Sequence, residues 1–414
     1  MTKSMLASQS FGKVNKDANF AASSAAKDAI AKYGKEAVVD ATLGVIYDEK
    51  LEFATLKTAE EVYRSLPAQE LMAYAPISGL PAFREAAIEF CFQGHQPKGS
   101  YASAAATPGG TGGLHHVIMN YVERGEKYLI PDWHWGPYTT MGKEMGAEAV
   151  EYSLFDEKGL FNLNGINEKI DELVKCQTNT VVFFNTPAHN PTGYSLSKED
   201  WKGITDHLRE LARDESKKLI VLWDMAYTDY AGDPDEVREF LSCFDDMPEN
   251  MLLMIAFSMS KSFLIYGMRS GALICCSSSK DVIAEFDGAT AFSNRNTWSN
   301  GSRGAQALLA KIVGDPELRR KSDEERKAFR DMLIARGKQF NIEAEEAGLK
   351  TLPYKAGFFL VVPTDKPKEL AERLYAENIF CATQGKGIRF TLSAVPSWQL
   401  RGVPAKIAKA INEI

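Results

Sequence analysis

No stretch of about 18 consecutive apolar residues occurs in the 414-residue chain, so a membrane-spanning helix is not expected. The first thirty residues, with Phe11 and Phe20 among scattered alanines and serines, lack the continuous apolar core of a signal peptide, which makes a cytoplasmic location the expectation. Cysteine is scarce. The six present (Cys91, Cys176, Cys243, Cys275, Cys276 and Cys381) show no metal-ligand or redox spacing, and a chain this long needs no disulfide staples, so buried reduced thiols are expected. Histidine is equally rare, and the one adjacent pair, His115 and His116, points to different faces of any helix, so no metal is expected. An excess of positive charge is also missing: the formal charge of -7 argues against nucleic acid as the main partner. Neither a Walker loop nor a Gly-x-Gly-x-x-Gly fingerprint occurs at the glycine-rich stretch, which weakens the nucleotide-binding readings. Pro/Gly-rich linkers, internal repeats and low-complexity tracts are absent too.

What remains is an ordinary globular composition, 45% apolar and 25% charged, in a chain long enough for two domains. Apolar runs at Tyr128-Leu129-Ile130, 180–184, 218–223, 251–257 and 272–275 read as buried strands, and the stretches between several of them carry helical periodicity. Such alternation predicts an α/β fold built on a mostly parallel sheet, with ligands bound beyond the carboxyl ends of the strands. After an amphipathic region of one or two helices over 305–346, strands at 358–362 and 387–392 suggest a smaller α+β lobe. The expected division is an N-terminal segment, 1–50, that contributes to the small domain, a large domain over 51–305, and a small C-terminal domain over 306–414.

The chemistry concentrates where those strands end. Lys261 follows the apolar run 251–257, and a lysine buried there can form an imine with an aldehyde, because desolvation frees its amine near neutral pH. Arg269, eight residues on, offers a fork of donors suited to a phosphate, and Ser258 adds a hydroxyl. An aldehyde that also carries a phosphate is pyridoxal phosphate. Gly109-Gly110-Thr111-Gly112-Gly113, read as a turn feeding a helix, offers backbone N–H groups to an anion, although such turns also serve simply as tight corners. The loop after Ile130 holds Trp133, Trp135 and Tyr138, which either seal a core edge or stack on something flat. Prolines on both sides hold the Asn190 amide in place as a donor, Asp224 ends a strand where a carboxylate can pair with a cationic ring nitrogen, and Tyr227 can donate to a ring oxygen. Gly44 ends a short strand at a point where backbone can approach a ligand, and Arg389, inside an apolar strand, requires an anionic partner.

Taken together, Asn190-Pro191-Thr192-Gly193, Asp224-x-x-Tyr227, Ser258-x-Ser260-Lys261, Arg269 and Arg389 resemble the class I aminotransferases, over nearly the whole chain. The resemblance implies a fold type I pyridoxal phosphate enzyme, acting as a homodimer with shared active sites. Tyr74-Ala75-Pro76-Ile77-Ser78-Gly79-Leu80 and Arg295-x-x-Trp298-Ser299-Asn300 are similar to segments of the aspartate and aromatic aminotransferases. By that likeness Tyr74 reaches the cofactor phosphate of the neighbouring subunit, and Arg295 crosses the interface to a substrate's distal carboxylate. Gly110, Thr111, Ser258 and Arg269 hold the phosphate, Asn190 and Tyr227 bond the ring oxygen, and Asp224 pairs with the ring nitrogen. Arg389 clamps the α-carboxylate, beside Gly44 and the stacking aromatic. Counting back from Tyr138 favours Trp135 as that aromatic, and counting forward from Pro131 favours Trp133. The chain departs from the family at Gly109, Tyr138 (where many relatives have histidine), Trp298 and Gly301-Ser302.

The expected activity is transfer of an amino group between an L-amino acid, aspartate or aromatic, and 2-oxoglutarate in two half-reactions, with Lys261 as the proton carrier. Two competitors share the cofactor: a lyase that breaks a β carbon–sulfur bond, and a cofactor-binding regulator. The second needs a DNA-binding lobe, and the N-terminal region shows no helix-turn-helix pattern.

Overall fold

Every residue of Met251–Ser258 is buried, a run with no polar face to turn to solvent. A strand of that kind requires packed layers on both sides of its sheet. The computed structural model describes residues 4–14 and 18–414; the other positions of the predicted N-terminal segment, 1–3 and 15–17, lie outside the described residues. In chain order the strands are β1 (Val39–Ala41), β2 (Tyr101–Thr107), β3 (Lys127–Pro131), β4 (Glu148–Tyr152), β5 (Asn179–Asn185), β6 (Lys218–Asp224), β7 (Met251–Ser258), β8 (Gly271–Ser277), β9 (Phe359–Pro363), β10 (Ile379–Gln384) and β11 (Gly387–Thr391). A seven-stranded sheet has the order β2-β8-β7-β6-β5-β3-β4, and a four-stranded one the order β1-β10-β11-β9.

Strands β3 to β7 run parallel in the large sheet, and β8 runs antiparallel to both its neighbours. The sheet is therefore mostly parallel, as expected, with one reversed strand. Side chains alternate across it. Leu253, Ile255 and Phe257 enter a core with Phe83, Phe90 and Trp201, whereas Met254 and Ala256 face Leu114, Val117 and Phe286 on the other side. Register then decides what meets at the edge: Asn185 lies beside Asp224, Asp224 beside Ala256, and Ser258 beside Gly271, which lies beside Thr107. The carboxyl ends of β2, β5, β6 and β7 are thus aligned along one rim, with the start of β8 among them.

The helix that rises from this rim begins at Gly109, inside the glycine-rich stretch and not after it. Glycine is intrinsically a poor helix former, but here close packing outweighs propensity. A side chain at Gly110 would lie 3.3 Å from Ser258 Cβ, and one at Gly112 would lie 2.6 Å from Pro108 Cδ and 2.9 Å from Thr107 Cβ. Gly271 is held tighter still, since a Cβ there would fall 2.2 Å from the Phe257 carbonyl. Arg295 belongs to a helix, Lys280–Thr297. The amphipathic region resolves into two helices, Arg303–Gly314 and Pro316–Glu346, separated at Asp315, whose side chain accepts from Glu317 N and Leu318 N.

Arg336, fully buried in the second of these, donates to Glu49 Oε1 (2.8 Å) and to the carbonyls of Tyr47 (2.9 Å) and Ser393 (3.0 Å). These bonds fasten the segment after β1 to the segment after β11. Among the described residues no helix is long and apolar enough to cross a membrane.

Candidate active site

Lys261 sits in a single helical turn, Met259–Ser262, directly after β7. That turn is pinned on both sides: Tyr230 OH donates to the Lys261 carbonyl (3.0 Å), and Arg326 Nε donates to the Ser262 carbonyl (2.7 Å). The Lys261 amine is 5.4 Å from the centre of the Tyr266 ring and 5.9 Å from that of Tyr227. Burial pushes its pKa down to about 8, with Arg269 and Arg389 adding to the shift and Asp224 opposing it. At pH 7 a tenth or so of such a lysine is free amine, roughly 300-fold more than for an exposed one. In ligand-free protein, reaction of Lys261 with an amine-directed reagent is expected to rise with pH through a midpoint near 8, and Arg269→Ala moves that midpoint upward. Peptide mass spectrometry across a pH series measures both.

Asp224, at the end of β6, is buried, and burial raises its pKa. Hydrogen bonds oppose that rise. Tyr138 OH donates to Oδ2 (2.6 Å), and the Ala226 backbone N–H donates to Oδ1 (3.1 Å). Asn185 ties the two neighbouring strand ends together, its amide donating to the Asp224 carbonyl (3.0 Å) and its side-chain oxygen accepting from Asn190 N (2.7 Å). Asn190 Nδ2 then reaches the Tyr227 hydroxyl at 3.3 Å.

The small sheet supplies Arg389 from β11. Its Nη2 donates to the Thr42 carbonyl (2.7 Å), its Nη1 lies 3.4 Å from Asn190 Oδ1, and its guanidinium stands 4.5 Å above the Phe359 ring. Gly44 lies against the small-sheet side of the site. A Cβ there would lie 2.5 Å from Phe359 Cζ, so the missing side chain makes room for the ring on which Arg389 rests.

One cavity gathers Gly110, Thr111, Trp135, Asn190, Asp224, Tyr227, Ser258, Lys261 and Arg269, together with Leu114, Tyr138, Asn185, Ala226 and Ser260. Trp135 therefore lines it, while Trp133 packs on the core below. Of the residues picked out from sequence, Gly44, Tyr74, Arg295 and Arg389 are not among its lining residues, and Arg389 meets it through Asn190. Tyr74 is 87% exposed, and Arg295 is exposed with Nη1 donating to Ser299 Oγ at 2.8 Å. Asn185 and Ser260 were not among the expected residues, although both sit at strand ends already singled out; that position was the available signal. Among the described residues no group of histidine, cysteine, aspartate or glutamate has the arrangement of a metal site.

The donors fit a ligand with an anion at one end, a cationic ring atom at the other and an aldehyde between. Arg269 Nη1 is braced by Ser260 Oγ (2.8 Å) and by the Tyr266 carbonyl (3.0 Å), beside the start of the helix Gly109–Tyr121. Gly109 lets it approach, since a Cβ there would lie 2.8 Å from Arg269 Nη2. Cationic guanidinium, helix N-terminus and hydroxyls together suit a phosphate. Asp224 supplies the opposite charge, and Lys261 lines the same cavity.

Residues 44–403 match the family described as aminotransferase class I and II. Among solved structures, an aminotransferase from Anaerococcus prevotii is 35% identical, with a TM-score of 0.96 over 99% of this chain and 100% of that one. The aromatic-amino-acid aminotransferase of Pseudomonas aeruginosa is 27% identical over 237 residues, only 56% of this chain and 56% of that relative. The aspartate aminotransferase of the same bacterium is 24% identical, covering 83% of this chain and 86% of its own length.

Proposed function

The chain belongs to the aminotransferase class I and II family, and we propose that it exchanges an amino group between L-amino acids, aspartate or aromatic, and 2-oxoglutarate, with pyridoxal phosphate as cofactor. The observation that carries this reading is the buried Lys261 amine, lowered to about 8, in one cavity with the Arg269 cradle and the Asp224 carboxylate. When bound, pyridoxal phosphate supplies an aldehyde that captures the amino group and a ring that accepts the electrons left at the α-carbon.

The residues divide the remaining work. Gly110, Thr111, Ser258 and Arg269 hold the phosphate, and Asp224 holds a proton on the ring nitrogen. Asn190 and Tyr227 would bond the ring oxygen, and Trp135, which lines the same cavity, would offer its ring face to the cofactor. Arg389 takes the substrate α-carboxylate in a bidentate grip, which fixes the α-hydrogen relative to the Lys261 amine. Lys261 would then remove that proton from the α-carbon as a general base and deliver it, as a general acid, to the carbon that the cofactor's aldehyde supplies, a role suited to a pKa close to the working pH.

Two parts of the reading need a second copy of the chain. Tyr74, 87% exposed, and Arg295, exposed as well, lie outside the cavity of their own chain and are free to serve another's. In a homodimer Tyr74 would reach the phosphate of the partner's site, and Arg295 would cross to the distal carboxylate of a dicarboxylic substrate. We place this dimer in the cytoplasm.

An amino-donor screen with 2-oxoglutarate as acceptor, run on the parent protein and on Arg295→Ala, tests the reading. Activity toward aspartate should fall by about 10²-fold in the variant while aromatic donors are retained, the cost of leaving a carboxylate without its charged partner. An unchanged donor profile argues against Arg295 as the distal clamp, and an absence of 2-oxo acid-dependent turnover in the parent argues against transamination itself.

A further inference from the structure

The carboxylate at the end of β6 is held from behind by a group outside the expected set of site residues. Tyr138 is 0% exposed, in the first turn of the helix Pro137–Met145. Its ring is clamped edge-on by Phe183, 5.3 Å away at 83°, and by Trp135, 5.9 Å away at 89°. Its backbone carbonyl accepts from Tyr128 OH. So fixed, the phenol donates to Asp224 Oδ2 at 2.6 Å.

We propose that Tyr138 is the positioning residue that keeps Asp224 ionised and aimed at the cofactor, and so makes the site select a ligand with a protonated ring nitrogen. This rests on the pyridoxal phosphate reading above. A buried carboxylate with too few donors takes up a proton and becomes a neutral acid. Neutral Asp224 would then serve a ring that carries no charge as well as one that does. Tyr138 and the Ala226 N–H each give one oxygen a donor, and each oxygen keeps a further lone pair for a ligand in the cavity that Asp224 lines. A phenol suits the task because burial and the adjacent carboxylate push its own pKa well up, so it remains a donor at every working pH and brings no charge of its own.

The test compares two ligands on the full-length chain after its ligand has been removed: pyridoxal phosphate, and an analogue with carbon in place of the ring nitrogen. The parent should bind pyridoxal phosphate more tightly than the analogue. Tyr138→Phe keeps the ring and its packing and removes only the donor. It should lower pyridoxal phosphate affinity by about tenfold or more, the worth of a hydrogen bond to a charged group, while analogue affinity stays within about twofold. The analogue thus serves as the control for folding. If both ligands weaken equally, Tyr138 is a packing residue; if neither weakens, the hydrogen bond is without consequence. Either result overturns the proposal while leaving the cofactor reading intact. A parent protein that binds both ligands equally removes the ring-nitrogen role of Asp224, and the proposal with it.

Discussion

The Lys261→Ala protein is expected to take up pyridoxal phosphate and yet to transfer amino groups about 10⁴-fold more slowly than the parent, the upper end of the range for loss of a positioned acid–base group. Retention of the cofactor follows from the distribution of the grip. Thr111, Ser258, Arg269 and Asp224 all line the cavity, and the hydrogen bonds of Arg269 and Asp224 run to groups other than the lysine amine. Loss of turnover follows because the cavity offers no second amine, and the phenols nearby are poor replacements. Burial raises the Tyr227 hydroxyl well above its ordinary value, so it gives up its proton reluctantly. Truncation at 261 should leave the fold in place, since the turn is held by backbone contacts from Tyr230 and Arg326 that alanine preserves. Equilibrium dialysis reads the first outcome and single-turnover kinetics the second. A variant that transaminates within about tenfold of the parent would remove Lys261 from the mechanism.

The second large effect falls on substrate binding. Arg389→Ala is expected to lower kcat/KM by about 10² to 10⁴-fold, because a carboxylate brought into the cavity would then lack its charged partner, a loss of about 3–5 kcal/mol. Arg389→Lys should recover little of it. The guanidinium spans Thr42 and Asn190 with separate nitrogens while its flat face rests on Phe359, and an ammonium cannot reproduce that fork. Affinity for pyridoxal phosphate, held by other residues, should change by less than about threefold, which separates a defect in substrate capture from a collapsed site. If the alanine variant keeps its KM for the amino donor, the α-carboxylate is bound elsewhere.

The residues that could be read from sequence share one physical origin. Lys261, Asp224 and Asn190 each follow an unbroken apolar run, and a polar residue at the end of a buried parallel strand has little to do for stability. Arg389 was legible for the opposite reason, as a charge set inside an apolar strand. The reversed direction of β8 left no trace, because Gly271–Ser277 is buried throughout and such a run has the same pattern in either direction. Strand β2 was hidden in alanines, whose preference for strands is weak and which form one here because both faces are covered. The part played by Gly44 could not be inferred, since Phe359 lies more than three hundred positions away in the chain. Arg336 and Glu49 were missed likewise: a long charged helix looks solvated from its sequence, and only the packed fold shows which of its arginines turns inward.

The most direct test of the account is borohydride reduction of the purified, pyridoxal phosphate-loaded protein followed by peptide mapping. The account predicts a yellow protein that bleaches on reduction and carries the cofactor irreversibly at Lys261 alone. A reduced adduct on any other lysine, or none after incubation with pyridoxal phosphate, would contradict it.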